Sequence, residues 1–112
     1  MTIISQLVQK DLINLEGKGE TKQKLLKNLA ETLFEKGYVN DGFAKAILER
    51  EEEFPTGLQL EKTAVAIPHT YCEYVKKPFI YVVKLENPVT FIQMGTSDVE
   101  VDVHFVIVLG IS

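Results

Sequence analysis

His69 and Arg50 are the two residues of this 112-residue chain whose types best suit group-transfer chemistry. A neutral imidazole is a good nucleophile toward phosphorus near pH 7, because its pKa lies close to that pH. Phosphoryl transfer then needs in-line positioning and a cation that matches the charge on the equatorial oxygens, which arginine supplies as a rigid fork. The pair therefore predicts a phosphoryl acceptor with its cation. The plainer alternatives are a histidine that caps a strand end and an arginine that pairs with a glutamate.

Cysteine and the second histidine give weaker indications. His69 and Cys72 have a His-x-x-Cys spacing, but two ligands do not make a zinc site, and His104 alone would not complete the usual four. A catalytic Cys72 thiol would need an oxyanion site, which no feature of the sequence indicates. We therefore expect no metal and no cofactor, and Cys72 is expected to be a small loop or core residue. His104, beside Asp102, would join the site only if its strand adjoins His69.

The segment before His69 predicts a stiff support for the imidazole. Residues 65–67 have the composition of a short buried strand, and Pro68 fixes its own φ while favouring an extended Ile67. Residues 58–67 are mostly apolar with a polar interruption at 61–63, which predicts a β segment or a hairpin that ends at His69. A rigid strand end suits a group that must meet a reacting atom within tenths of an ångström.

Two amphipathic helices are predicted upstream of this segment. The first is capped by Thr21 and ends at Lys36 and Gly37. Its apolar side chains recur at three- and four-residue spacings: Leu25, Leu26, Leu29, Leu33 and Phe34. The second helix is capped by Asn40 or Asp41. Its stripe consists of Phe43, Ala46, Ile47 and Arg50, so that Arg50 lies in the last turn at the edge of the core.

Four glutamates surround Arg50 in the sequence: Glu49, Glu51, Glu52 and Glu53. A solvated charge run is the common explanation. The functional alternative is an acidic rim around a cationic centre, which would help to dock a basic partner. Glu51 and Thr56 are further candidates for supporting residues of the site, together with His104.

The rest of the chain predicts strands. Residues 79–83 are rich in aromatic and branched side chains, Asn87 and Pro88 predict a turn, and residues 89–92 fit another short strand. After a turn at 95–98, residues 99–111 alternate at first and are then apolar on both faces, as in a strand of a helix-covered sheet. Residues 3–15 are compatible with a short helix followed by an extended piece, and the pattern does not decide.

Length, composition, net charge and cysteine count narrow the class of protein. The length suits one compact domain, and 46% apolar residues argue against disorder. A formal charge of −4 argues against nucleic acid or an anionic membrane as the main partner, since both need a basic face. No apolar run approaches the roughly 20 residues that span a bilayer, and the N-terminus lacks the features of a signal peptide. A single cysteine excludes an intrachain disulfide framework, so a cytoplasmic protein is the simplest expectation.

Four motifs together resemble a known family. They are Glu-Arg-Glu at 49–51, Phe-Pro-Thr-Gly-Leu at 54–58, Val-Ala-Ile-Pro-His at 65–69 and Pro-Val-Thr-Phe-Ile-Gln-Met-Gly at 88–95. The chain resembles the enzyme IIA domain of the fructose–mannitol type in the bacterial sugar phosphotransferase system, and the last motif is most similar to the galactitol branch. The resemblance covers nearly the whole chain, and the Pro-Thr-Gly-Leu and Ala-Ile-Pro-His motifs are specific only in combination.

The resemblance implies an α/β fold with a mixed sheet flanked by helices. It implies that His69 is phosphorylated by the phosphocarrier HPr and that Arg50 assists. The phosphoryl group would then pass to a cysteine of a IIB partner and so to a sugar alcohol, such as galactitol, that enters through a IIC permease. A second interpretation is a regulatory IIA-like domain in which phosphorylation of the same histidine controls transcription or a partner. A third is a degenerate module that transfers nothing.

The sequence departs from the family pattern at three places. Residues 61–63 stand where members often have a glycine, and Thr70 stands where they commonly have a small residue. Members also continue past the last strand for one or two helices, where some carry a second active-site histidine. We therefore expect residues 1–112 to form a single IIA-type domain that is truncated at its C-terminus, and the resemblance gives His104 no such role.

Overall fold

A computed structural model describes residues 8–111, with side chains of the first strand from Leu12 onward. One mixed sheet contains five strands: β1 (Val8–Gly17), β2 (Gly57–Gln59), β3 (Ala64–Ala66), β4 (Phe79–Ile92) and β5 (Glu100–Gly110). Their order across the sheet is β1-β4-β5-β3-β2. The β1–β4 and β3–β5 pairs are parallel, and the β4–β5 and β2–β3 pairs are antiparallel. The mixed α/β sheet and the hairpin before His69 are thus confirmed.

The first helix, α1 (Lys22–Glu35), has the predicted ends. The Thr21 hydroxyl accepts the N–H of Lys24 at 3.2 Å, and Gly37 has a φ of +83° just beyond the last turn. Glycine adopts this left-handed conformation without a steric penalty, which ends the helix. The leucines at 25, 26, 29 and 33 are buried, whereas Phe34 is 50% exposed. The expectation that Phe34 lies on the apolar face is therefore wrong.

The second helix, α2 (Phe43–Glu53), differs from prediction at its start and on its buried face. Its N-cap residue is Gly42, and the side chain of Asn40 instead accepts the N–H of Gly42 at 2.9 Å in the preceding turn. The buried positions are Phe43, Ile47 and Glu51, so the inward stripe continues through a glutamate rather than through Arg50. Arg50 lies beside the stripe and is half-buried.

Strand β4 runs without interruption through the predicted turn at Asn87 and Pro88. Its pairing with β5 shifts register between Lys84 and Val89, so the two residues lie in an irregularity of the ladder. A strand irregularity tolerates proline because no ladder bond from its nitrogen is required there. The prediction of a turn that separates two strands is therefore wrong. The part of residues 3–15 that precedes residue 8 lies outside the described residues, and the remainder belongs to β1.

Both helices share one apolar core with one face of the sheet. The other face of the central strands is half-buried within residues 12–111, and Ile13 and Leu15 on β1 are 45% and 66% exposed. The second half of β5 was predicted to be covered on both faces, and within the described residues it is fully buried on one face and half-buried on the other. Neither helix in residues 8–111 is long and apolar enough to cross a bilayer.

We expect Gly57→Ala to destabilise the protein. A Cβ at Gly57 would lie 2.5 Å from the carbonyl oxygen of Ile92 and 2.8 Å from a methyl of Val101. Because a backbone atom would have to move, the free energy of unfolding should fall by about 1–3 kcal/mol in urea denaturation. The control is Ser97→Ala in an exposed turn, with an expected change below about 0.5 kcal/mol. Equal midpoints for the two variants would contradict this close approach.

Candidate functional site

His69 follows β3 on a segment that is tied to the sheet. Pro68 is buried, and its carbonyl accepts the N–H of Leu109 on β5 at 3.1 Å. The Nδ1 atom of the half-buried His69 ring lies 2.9 Å from the carbonyl oxygen of Ile67. A carbonyl oxygen can only accept, so Nδ1 carries the proton and the lone pair of the neutral ring is on Nε2. The backbone thus fixes both the place and the tautomer of this imidazole.

A second set of hydrogen bonds anchors the same segment from the helix side. The N–H of Ile67 donates to the carbonyl and the hydroxyl of Thr56, at 3.3 and 3.2 Å. Thr56 in turn donates its N–H to Oε2 of Glu51 at 2.7 Å and its hydroxyl to Oε1 at 2.8 Å. Glu51 and Thr56 are only 2% and 3% exposed. A continuous chain of bonds therefore connects α2 with the residue before Pro68.

The carboxyl group of Glu51 is electrostatically unusual. Its burial raises the pKa above the ordinary value of 4.5, while the hydrogen bonds from Thr56, the charge of Lys22 and, when it is protonated, the ring of His69 act in the opposite direction. Both carboxyl oxygens are nevertheless satisfied by donors. Glu51 is thus a buried acid that supports the site rather than a member of a solvated charge run, and only its exposed neighbours Glu49, Glu52 and Glu53 fit that description.

Arg50 contacts aromatic side chains. Its guanidinium carbon lies 4.1 Å from the ring centre of Phe54 and 5.3 Å from that of Tyr71, and Nη1 donates to the Tyr71 hydroxyl at 3.3 Å. Within residues 12–111, Arg50 takes part in no ion pair. Because Tyr71 is two residues beyond His69, these contacts bring Arg50 against the segment that carries the imidazole. The ion pair with a neighbouring glutamate is not the arrangement found.

The structure separates His104 from the rest of the predicted site. His104 is exposed on β5, five residues before Leu109, which is the residue that contacts Pro68. At about 3.3 Å per strand residue, that separation is roughly 16 Å. Cys72 is exposed in a single turn of 3₁₀ helix, Cys72–Tyr74, as expected for a loop residue. His69, Glu51 and Thr56 are therefore brought together, with Arg50 next to them and His104 elsewhere.

The two aromatic contacts of Arg50 were not among the predictions from the sequence. Phe54 is four residues after Arg50, a spacing that places side chains on the same face of a helix, so a cation–aromatic pair could have been predicted. For Tyr71 the sequence offers no comparable signal, because only the fold brings its loop to the end of α2.

The fold and the site together define a class of protein. It is a mixed α/β domain that presents a half-buried imidazole of fixed tautomer just beyond the end of a strand. Residues 6–112 match the family described as "Phosphoenolpyruvate-dependent sugar phosphotransferase system, EIIA 2". The chain belongs to this family, which confirms the resemblance inferred from the motifs.

Two curated relatives and one solved structure show the range of this likeness. The galactitol-specific EIIA component of Escherichia coli strain K12 is 38% identical over 88 residues, which are 79% of this chain and 58% of that one. The transcriptional regulator ManR of Bacillus subtilis strain 168 is 34% identical over 77 residues, 69% of this chain and 11% of ManR. The complex of IIAMTL with phosphorylated IIBMTL from Escherichia coli gives a TM-score of 0.72 at 25% identity, covering 93% of this chain and 71% of that one. The chain thus spans little more than half the length of the galactitol component.

We expect Glu51→Gln to change how stability depends on pH. Because folding raises the pKa of Glu51, its contribution to stability is complete below about pH 4.5 and is lost as the pH rises through the raised folded value. The free energy of unfolding of the wild type minus that of the variant should therefore fall across this window, in urea denaturation between about pH 4 and pH 8.

Glu53→Gln, at an exposed position of the same helix, is the matched control for removing a carboxyl group. The free energy of unfolding of the wild type minus that of Glu51→Gln is the quantity to follow. If it stays constant or rises over the same pH range, the result contradicts a raised pKa of Glu51.

Proposed function

We propose that this protein is a phosphoryl carrier whose His69 accepts a phosphoryl group on Nε2 and passes it on. The hydrogen bond from Nδ1 to the carbonyl of Ile67 carries the proposal, because it directs the lone pair of the neutral ring to Nε2. The ring is half-buried, so it is both supported by the fold and open to a donor. A rigid nucleophile of this kind reduces the entropic cost of transfer.

In the proposed transfer, the N–P bond of a donor phosphohistidine breaks as a bond forms between phosphorus and Nε2 of His69. The electron pair of the broken bond returns to the donor imidazole, so no proton has to move. Positive charge develops on the His69 ring, and the carbonyl of Ile67 stabilises it through the Nδ1 proton. Arg50 supplies N–H donors to the equatorial oxygens, and the step needs no metal or cofactor.

Glu51 and Thr56 act in this proposal as positioning residues. They hold the N–H of Ile67, while the carbonyl of the same residue holds the His69 ring. Movement of either residue would be passed to the imidazole through the backbone. His104 has no part in the proposal, since β5 carries it away from this end of the sheet.

Family membership and the relatives support the proposed partners and substrate. We propose HPr as the donor, a IIB cysteine as the acceptor, a IIC permease as the final component and the cytoplasm as the location. A relative whose name specifies galactitol supports a sugar alcohol as the transported substrate. A related IIA–phosphorylated IIB complex supports a IIB partner.

The second candidate is a regulatory IIA-like domain. It is favoured by one observation, the 34% identity to the transcriptional regulator ManR. In that case His69 would still be phosphorylated, but the phosphoryl state would control a partner rather than feed a sugar.

We expect phosphorylation to depend on His69. After incubation with phosphoenolpyruvate, enzyme I and HPr, the wild type should carry an acid-labile, base-stable phosphoryl group. His69→Ala should carry none, and Arg50→Ala should be labelled about 100-fold more slowly, by analogy with the loss of one transition-state donor. His104→Ala is the control and should match the wild type. Full labelling of His69→Ala would contradict the assignment.

The two candidate functions differ in what happens to the phosphoryl group next. Purified phosphorylated protein, mixed with a galactitol-type IIB component, should lose its label to IIB within seconds to minutes. A IIB variant with serine in place of its active cysteine is the control and should receive nothing. Labelled protein that keeps its phosphoryl group in the presence of intact IIB would favour the regulatory function.

A further inference from the structure

At a site rich in carboxylates, the flexible side chain of Arg50 stays available for an incoming anion only if groups other than carboxylates hold it. Its guanidinium lies over the ring of Phe54 and near the ring of Tyr71, and Nη1 donates to the Tyr71 hydroxyl. Both aromatic residues are themselves about half exposed, at 52% and 55%. These rings therefore stand at the surface, where a phosphoryl donor must approach.

Three of the four neighbouring carboxylates are engaged elsewhere, and the fourth, Glu53, is exposed and forms no ion pair with Arg50 within residues 12–111. Glu49 pairs with Lys45 at 3.8 Å, and Glu52 pairs with Lys22 at 3.6 Å. Glu51 is turned inward and receives both of its hydrogen bonds from Thr56. The positive charge of Arg50 is therefore not neutralised by any of these three acids.

The aromatic contacts of Arg50 also determine which of its N–H donors remain available. An aromatic ring attracts a guanidinium through the ring face and does not use the in-plane N–H donors. The Tyr71 hydroxyl takes one of the five donors and fixes the rotation of the plane. The remaining donors stay available for an anion with three oxygens.

We propose that Tyr71, together with Phe54, is a positioning residue that holds the guanidinium of Arg50 in an orientation ready to bind the transferring phosphoryl group. The inference rests on the proposed function of His69 and adds to it a role for two side chains that do not touch the reacting atoms. Tyr71 suits this role because the same loop carries His69 two residues earlier. One short segment thus presents the nucleophile and restrains its cation.

The test is the initial rate of His69 phosphorylation by phospho-HPr in a double-mutant cycle. Tyr71→Leu should slow labelling about ten- to a hundredfold, as expected for a misplaced catalytic group. Tyr71→Phe keeps the ring and should recover much of the rate. In the Arg50→Ala background, Tyr71→Leu should have no further effect, because the group that it positions is gone. Tyr74→Phe, on the same loop, is the matched control and should leave the rate unchanged.

The contacts of Arg50 with Phe54 and Tyr71 form what we call the clamp. A second measurement examines this clamp without phosphoryl transfer. In ¹H–¹⁵N spectra of the unphosphorylated protein, the Nε–H signal of Arg50 should be displaced by the ring currents of Phe54 and Tyr71, and Phe54→Leu and Tyr71→Leu should each reduce that displacement. Arg50→Lys identifies the signal by its disappearance. This result does not depend on HPr, so it separates a failure of the clamp from a failure of the proposed function.

Several outcomes would overturn the inference. Wild-type labelling with an unchanged rate in Tyr71→Leu would show that Arg50 needs no positioning by this ring. If Tyr71→Leu slows labelling as much in the Arg50→Ala background as in the wild type, Tyr71 acts only on the fold. An undisplaced Nε–H signal in the wild type would show that the clamp is absent in solution. Failure of the wild type to become labelled would overturn the proposed function and this inference with it, even where the spectra show the clamp.

Discussion

The two polar backbone groups of Ile67 are the constraint on which the site depends. The N–H is held by Thr56, and the carbonyl accepts the Nδ1 proton of His69. The next residue, Pro68, has no N–H to offer, and its ring disfavours a helical conformation at Ile67, so the chain leaves β3 in an extended conformation. An imidazole at this position is therefore oriented by the backbone rather than by another side chain.

Adjacent residues at the end of α2 perform opposite tasks. Successive residues on a helix point about 100° apart, so Glu51 can enter the core while Arg50 remains at its edge. A buried carboxylate is costly unless donors satisfy it, and the two donors of Thr56 do so across the Pro55 turn. The last turn of α2 thus does two things. Glu51 anchors the segment that carries His69 from the core side, and Arg50 presents a cation at the surface.

Much of the fold could be predicted because local signals decide it. Thr21 and Gly37 determine the ends of α1 by capping chemistry, and a mostly apolar run with a polar interruption indicates the β2–β3 hairpin. Tertiary context decides the rest. Pro88 looks like a turn residue but lies in a strand irregularity, because β4 stays paired with β5 on both sides of it. In the sequence Glu51 looks like a surface charge, and only the fold places the donors of Thr56 against its carboxyl group. The contact of Tyr71 with Arg50 requires a loop position that no local pattern specifies.

A cation at a transfer site must be available to one anion without being captured by another. A carboxylate partner would hold Arg50 in place but would compete with the phosphoryl oxygens for the same N–H donors, and it would cancel the charge that attracts them. Aromatic contacts avoid this competition, since they use the faces of the guanidinium and leave most of its edge free. Their attraction is modest, so the arginine can still adjust when the phosphoryl group arrives or leaves. For the proposed carrier, which would have to both accept and surrender its phosphoryl group, weak and non-competing support of the cation is better suited than a strong ion pair.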